Sequence, residues 1–278
     1  MKIIETKIGE LGAVLTAYIQ EPSREMANVA KKPAVLIFPG GAYMFCSDRE
    51  AEPIALAYLA EGFQAFVLRY SVGKNAIGCQ PLQEASDAIA LIRNKSEEWF
   101  VKPDQIAVCG FSAGGHLASW VSLSGESKPN ATILGYGATR LAAPNEEKHF
   151  IAKLLLGEDY TPEDAKTVDL ALHVSNDSPP MFAWSTAEDV LVDVRSVLAM
   201  SDAYAAASRP FELHIFQNGE HGLSLAKPIT AYGRIAMADA HVAAWHSMSV
   251  EWLWRQFGRP SLKDKPYEKI PGLIPDME

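Results

Sequence analysis

The stretch Ile106-Ala107-Val108-Cys109-Gly110-Phe111-Ser112-Ala113-Gly114-Gly115-His116-Leu117 passes from an apolar run, through a glycine-flanked serine, into a helical pattern. Ile106–Cys109 is short and continuously apolar, the form a strand takes when both faces of a parallel sheet are covered. Apolar residues at helical spacing follow over 113–123. Between the two, Gly110-Phe111-Ser112-Ala113-Gly114 matches G-x-S-x-G. The string alone arises by chance in roughly one chain in ten of this composition. Its setting carries the weight, because a strand that enters and a helix that leaves hold such a serine on a strained turn with its hydroxyl exposed.

Working outward, similar apolar runs recur at Ala34–Phe38, Ala65–Leu68, Thr132–Leu134, Met181–Trp184 and Phe211–Phe216, and helix-period segments at 48–61, 81–99, 193–207 and 239–257. Strand and helix alternate, which predicts a doubly wound α/β sheet whose right-handed crossovers put helices on both faces. Before it, residues 2–9 and 13–19 alternate apolar and polar around Gly9-Glu10-Leu11-Gly12, an expected antiparallel hairpin. The predicted sheet is thus mostly parallel and eight-stranded. The rhythm breaks at 136–180, where YGATRLAAPNEE and NDSPP surround a short helical piece near 147–156. This segment is read as an insertion over the sheet, and residues 258–278 as an extended tail. One domain is expected across 1–278.

The chain has 278 residues, 48% hydrophobic and 21% charged, with a formal net charge of −9. That composition excludes disorder and argues against a nucleic-acid partner. No apolar stretch approaches the length of a membrane span. The first residues, MKIIETKIGELGAVLTAYI, carry charges where a signal peptide needs an apolar core. Cys46, Cys79 and Cys109 are an odd count without metal-ligand spacing, so free thiols in a reducing cytoplasm are expected. Walker, dinucleotide and metal-spacing motifs are absent from the sequence, and no cofactor or metal is expected. Trp245, Trp252, Trp254 and Phe257 fall at helical spacing, as core or as an oligomer contact, which leaves a homo-oligomer open.

A serine hydroxyl is a poor nucleophile at neutral pH and needs a base, plus a group that orients the base. Among seven histidines, His214 sits within a strand and His116 one helical turn after Ser112, where it is expected to hydrogen-bond beneath the turn. His149, His173, His241 and His246 lie in the insertion or on helices. His221 follows the last strand in Gln217-Asn218-Gly219-Glu220-His221-Gly222, at the carboxyl end where open α/β sheets present ligand-facing residues, and is the expected base. Asp189 follows the strand ending near Trp184 and is the expected acid. Asp193 is read as a cap of the next helix, with Asp193 and Glu188 as substitutes. Pro39-Gly40-Gly41-Ala42-Tyr43 follows another strand end. Backbone N–H groups there stabilise the charge that develops in acyl transfer, and the expected donors are Gly41 or Ala42 together with Ala113. Gly40 and Tyr43 are expected to line the pocket, with Ala42, Tyr43 and Met44 walling its acyl side.

Five blocks together, PGGAYMFCSDRE, QAFVLRYSVG, IAVCGFSAGGHLA, SPPMFAWSTAEDVLVDV and PFELHIFQNGEHGLSLA, resemble the acetylxylan-esterase-related esterases of the α/β-hydrolase superfamily, near the hormone-sensitive-lipase-like and feruloyl-esterase-like groups. The resemblance runs over roughly residues 30–257 in the family's order. It implies the α/β-hydrolase fold, with Ser112 as nucleophile, Asp189 as acid and His221 as base. The chain departs from the family's pattern at Asp193, where Pro is usual, and at YGATR, where Y-P-V-I is usual. The resemblance implies hydrolysis of small acetyl-type esters, with sugars or short oligosaccharides as the favoured small-molecule substrates. Two other readings stand beside it, a serine peptidase on the same fold and a non-catalytic binding protein on a hydrolase scaffold.

Overall fold

A computed structural model of the chain describes residues 1–140 and 150–262. Strands β1 (Lys2–Ile8) and β2 (Ala13–Ile19) form the expected hairpin, with Ile8 opposite Ala13. Gly9 and Gly12 take positive φ at its turn. The remaining strands are β3 (Lys32–Phe38), β4 (Gln64–Arg69), β5 (Val101–Phe111), β6 (Ala131–Gly135), β7 (Met181–Thr186) and β8 (Phe211–Phe216). They make one eight-stranded sheet in the order β1-β2-β4-β3-β5-β6-β7-β8. β2 pairs antiparallel with β1 and with β4, and every pairing from β4 to β8 is parallel. This is the α/β-hydrolase fold.

Helices α1 (Glu52–Ala60), α2 (Gln80–Asn94), α3 (Ala113–Ser124), α4 (Phe150–Leu156), α5 (Pro162–Lys166), α6 (Arg195–Ala206) and α7 (Ala244–Phe257) connect and follow the strands. Side chains alternate along β3, so Leu36 and Phe38 enter one apolar cluster while Val35 and Ile37 enter the other. The first cluster takes Ile89 of α2, Leu117 of α3, Leu155 of α4 and Met200 of α6. The second takes Ile54 of α1 and Trp245 and Leu253 of α7. Trp245, Trp252 and Trp254 are buried, so the aromatic stripe of α7 belongs to the core.

Three helix boundaries differ from expectation. Residues 48–61 break at Ala51 (φ −106°, ψ −105°) into a 3-10 turn, Asp48–Glu50, and α1. The helix expected over 81–99 ends at Asn94, and 95–99 closes in tight turns. The helix expected from 239 begins at Ala244, because the Asp239 carboxylate takes the N–H groups of His241 and Val242 and winds a separate turn. Within 136–180, Val168 and Leu170 join the first apolar cluster, and the Leu170 N–H donates to the Thr139 carbonyl. The part of that segment at 141–149, with His149, and the tail from 263 onward lie outside the described residues.

The sheet reverses its direction of growth at β3, which has β4 on one side and β5 on the other. A crevice opens at the carboxyl ends of strands at such a switch point. The loop after β3 and the turn after β5 both sit there.

Candidate active site

Ser112 holds φ 53° and ψ −119° between β5 and α3, a backbone conformation that L residues rarely adopt. Close packing holds it there. A Cβ on Gly110 would lie 2.0 Å from the Gly114 carbonyl oxygen, and one on Gly114 would lie 2.0 Å from that of Phe38. Only glycine lets β3, β5 and α3 meet so closely. The Ser112 N–H donates to the Gly135 carbonyl at 3.1 Å, and the Ser112 carbonyl accepts from His116 and Ala138.

The loop after β8 brings His221 Nε2 to 2.8 Å from Ser112 Oγ, and His221 Nδ1 to 2.7 Å from Asp189 Oδ2. An ionised carboxylate only accepts, so Nδ1 carries the proton and Nε2 presents its lone pair to the Ser112 hydroxyl. The Asp189 side chain is inaccessible to solvent, and its other oxygen accepts the N–H groups of Leu191 and Val192, both at 2.9 Å. Those bonds offset the cost of burying the carboxylate and fix which oxygen faces His221.

The neighbouring carboxylates have other partners. Asp193 is half exposed, accepts the Arg195 N–H at 2.8 Å, and pairs with the Arg195 guanidinium at the start of α6. Those bonds lower the pKa of its carboxyl to about 2, below the ordinary carboxylate value. Glu188 accepts from the Asn218 amide and the Gly219 N–H, which ties the loop after β7 to the loop after β8. His214 bonds Glu212 within β8.

Gly41, Ala42 and Tyr43 take positive φ in succession after β3. Met44 and Phe45 N–H groups close this loop onto the Gly41 carbonyl. The N–H groups of Gly41 and Ala42 have no acceptor among the described residues, and Ala113 as the first residue of α3 has none within its helix. Gly40 is buried against the turn, where a Cβ would lie 2.8 Å from the Phe111 carbonyl oxygen and 3.0 Å from Ser112 Cβ. The Tyr43 ring, expected in the pocket wall, is instead wholly buried. Its hydroxyl donates to His116 Nδ1 at 2.9 Å, while His116 Nε2–H donates to the Val168 carbonyl at 3.0 Å. Tyr43 therefore braces the loop from beneath, and Met44 and Phe45, 51% and 60% exposed, are the large side chains of the loop that face outward.

Sequence reasoning passed over Glu50 and Tyr136. Glu50 is buried, with Oε2 accepting the Gly40 N–H at 2.8 Å and Oε1 accepting the Tyr136 hydroxyl at 2.6 Å. The Tyr136 ring stands edge-on to His221 at 5.1 Å. Burial, reinforced by the Glu50 charge, pushes the Tyr136 phenol far up, so it stays a donor. A carboxylate in the first turn of an expected helix reads as a helix-start preference, and nothing along the chain links positions 50 and 136. Among the described residues, no group of three His, Cys, Asp or Glu is placed to hold a metal ion. Nor is any helix among them long and apolar enough to cross a membrane.

A family model described as BD-FAE matches residues 19–203, a span that holds Ser112 and Asp189. The chain belongs to the BD-FAE family. Within that setting it is 28% identical over 202 residues to an acetylxylan esterase of Xylanibacter ruminicola, covering 68% of this chain and 40% of the relative. The chain spans less than half the length of the first curated relatives it matches. Among solved structures it resembles MGS-M1, an α/β-hydrolase enzyme from a Medee basin deep-sea metagenome library. The two are 41% identical with a TM-score of 0.80, over 92% of this chain and 98% of that one. It also resembles an acetyl ester-xyloside bifunctional hydrolase from Caldicellulosiruptor lactoaceticus, at 32% identity and a TM-score of 0.77, over 90% of each chain. The resemblance to α/β-hydrolase esterases related to acetylxylan esterases is borne out by these matches.

Proposed function

We propose that this BD-FAE member is a serine carboxylesterase that cleaves small acetyl-type esters, favouring acetylated sugars or short oligosaccharides, through an acyl-enzyme. The observation that carries the reading is the unbroken relay from Ser112 Oγ to His221 at 2.8 Å and from His221 to Asp189 at 2.7 Å.

In this reading His221 Nε2 takes the hydroxyl proton as Ser112 Oγ attacks the ester carbonyl carbon. The carbonyl oxygen gains a negative charge, and the N–H groups of Gly41 or Ala42 and of Ala113 donate to it. Asp189 holds the imidazole in the required tautomer and stabilises the imidazolium. Collapse of the tetrahedral intermediate breaks the ester C–O bond, and His221 returns the proton to the leaving alcohol. A water molecule, deprotonated by His221, then attacks the acyl-enzyme carbonyl, and Ser112 leaves with its proton restored.

Support for the substrate class comes from the relatives named as an acetylxylan esterase and as an acetyl ester-xyloside bifunctional hydrolase. Cys46, Cys79 and Cys109 are free thiols, which suits a reducing cytoplasm. The test is an ester panel that pairs acetylated xylose and xylo-oligosaccharides with a chain-length series on one leaving group, below micelle-forming concentrations. Acetyl esters are expected to give the highest kcat/KM, with a steep fall by octanoyl. Octanoyl esters turned over as fast as acetyl esters would remove the small-acyl specificity and leave a general esterase.

A further inference from the structure

We propose that Glu50 is a positioning residue that locks the loop donating the oxyanion N–H groups to the loop carrying His221, acting through Tyr136. The proposal rests on the serine-esterase reading above. One buried carboxylate accepts from both sides of the site, at 2.8 Å from the Gly40 N–H and 2.6 Å from the Tyr136 hydroxyl. The Tyr136 oxygen in turn accepts the Ser224 N–H at 2.9 Å, three residues beyond His221. The chain of bonds therefore runs Gly40, Glu50, Tyr136, Ser224 and spans the site beneath the candidate nucleophile. The residue beside Glu50 repeats the pattern, since the Arg49 guanidinium donates to the carbonyls of Gly222 and Thr230 and the Arg49 carbonyl accepts the Ser224 hydroxyl.

A carboxylate is an expensive way to fill this space, because a buried charge is costly unless every oxygen is well bonded. What it provides is two strong acceptors at fixed separation for two donors on different loops. Its Oε2 also lies 2.6 Å from where a Cβ on Gly40 would fall, so the loop is seated closely on it. The Gly40 peptide precedes Gly41 and Ala42, whose N–H groups stabilise the transition state only when held at hydrogen-bond distance from the developing oxyanion. A misplacement of about 1 Å costs on the order of 10²-fold in rate. Tyr136 meanwhile packs in a T-shaped contact with the His221 ring.

The test uses Glu50→Gln and Tyr136→Phe, singly and together, in the full chain. Steady-state kcat and KM are measured on an acetyl ester, and competent sites are counted by exhaustive fluorophosphonate titration. Glutamine keeps the shape but offers one acceptor where two are needed, and phenylalanine keeps the ring against His221 while removing the hydroxyl. Each change should lower kcat per titrated site about 10–100-fold with KM within about threefold, the pattern of an interaction realised in the transition state. The double variant should be little worse than the weaker single one, since both changes cut the same chain of bonds. A residue with a purely structural role would instead lower the melting temperature and the titrated fraction while leaving kcat per site intact. Should Glu50→Gln not fold, Tyr136→Phe decides alone. A kcat per site within threefold of wild type overturns the proposal, as do fully multiplicative effects. Wild-type protein that turns over no ester, or a Ser112→Ala variant as active as wild type, overturns the serine-esterase reading and this proposal with it.

Discussion

Around Ser112, a Cβ added at Gly110 or Gly114 would come within 2.0 Å of a carbonyl oxygen, whereas in the loop after β7 Val190 is 98% exposed and Leu191 is 73% exposed. The first region is shaped by exclusion. Its strained backbone sits where main chain from β3, β5 and α3 is packed closely around it. The second is shaped by hydrogen bonds, some local, as where the Leu191 and Val192 N–H groups donate to Asp189, and some between distant segments, as where the Gly219 N–H donates to Glu188 and the Thr186 hydroxyl donates to the Gly219 carbonyl at 2.7 Å. Close packing thus holds the Ser112 turn together with its main-chain hydrogen bonds, while His221 and Asp189 are placed by directed polar contacts that also fix the imidazole tautomer.

The largest expected effect lies in the first region. Ser112→Ala should lower ester turnover about 10⁴-fold or more while leaving the thermal melt unchanged, because the hydroxyl reacts and the backbone carries the packing. Turnover within about tenfold of wild type would remove Ser112 as nucleophile. In the second region, Asp189→Asn should cost about 10³- to 10⁴-fold in kcat, since an amide can donate to His221 and hold the wrong tautomer. Asp193→Asn should leave kcat within about threefold. Equal losses at the two positions would break the distinction between the partner of His221 and the partner of Arg195.

The steric side of the comparison is sharpened by two glycines. Gly114→Ala should destabilise the fold by about 3 kcal/mol or more by chemical unfolding, because its Cβ meets the Phe38 backbone. Gly222→Ala, beside His221, faces only the Arg49 side chain and pays mainly for its positive φ, about 1 kcal/mol. Similar costs for the two would show that exclusion is not what holds the Ser112 turn.

An effect confined to acidic pH tests how dry the support beneath that turn is. His246 on α7 packs against Tyr58 and Trp245, and Trp245 stands edge-on to Phe111, the residue before Ser112. Burial, with Lys227 adding to it, lowers the His246 pKa to about 4. The folded value lies below the unfolded value of about 6.5, so the unfolded chain binds this proton first as pH falls. Its contribution is complete above about pH 6.5, and stability is lost from there down to about pH 4, by about 3 kcal/mol. His246→Phe should flatten that part of the profile when urea unfolding is compared at pH 7 and pH 4.5. An unchanged slope would mean that water or a proton reaches the site freely.

The fold was legible because its signals are local. Continuous apolar runs stand where both sheet faces are covered, and β3 divides its side chains between two clusters as that pattern requires. The residues of the relay were legible for a similar reason, since Ser112, Asp189 and His221 each follow a recognisable strand end. Ala51 was not legible as a break, because one non-helical residue inside an apolar periodic segment leaves no trace in the periodicity. Tyr43 was misplaced because a tyrosine after two glycines reads alike whether its ring turns toward substrate or toward His116.

What the sequence by itself determined, then, is the alternation of elements, the glycine-bound turn and the order of serine, acid and histidine, because propensity, periodicity and turn chemistry act over a few residues. Only the tertiary structure decided that His221 takes Asp189 rather than Asp193 or Glu188, that Tyr43 lies beneath its loop, and that Glu50 joins Gly40 to Tyr136. Each of those outcomes depends on where segments 10 to 86 residues apart come to rest, and on which buried polar groups find partners there.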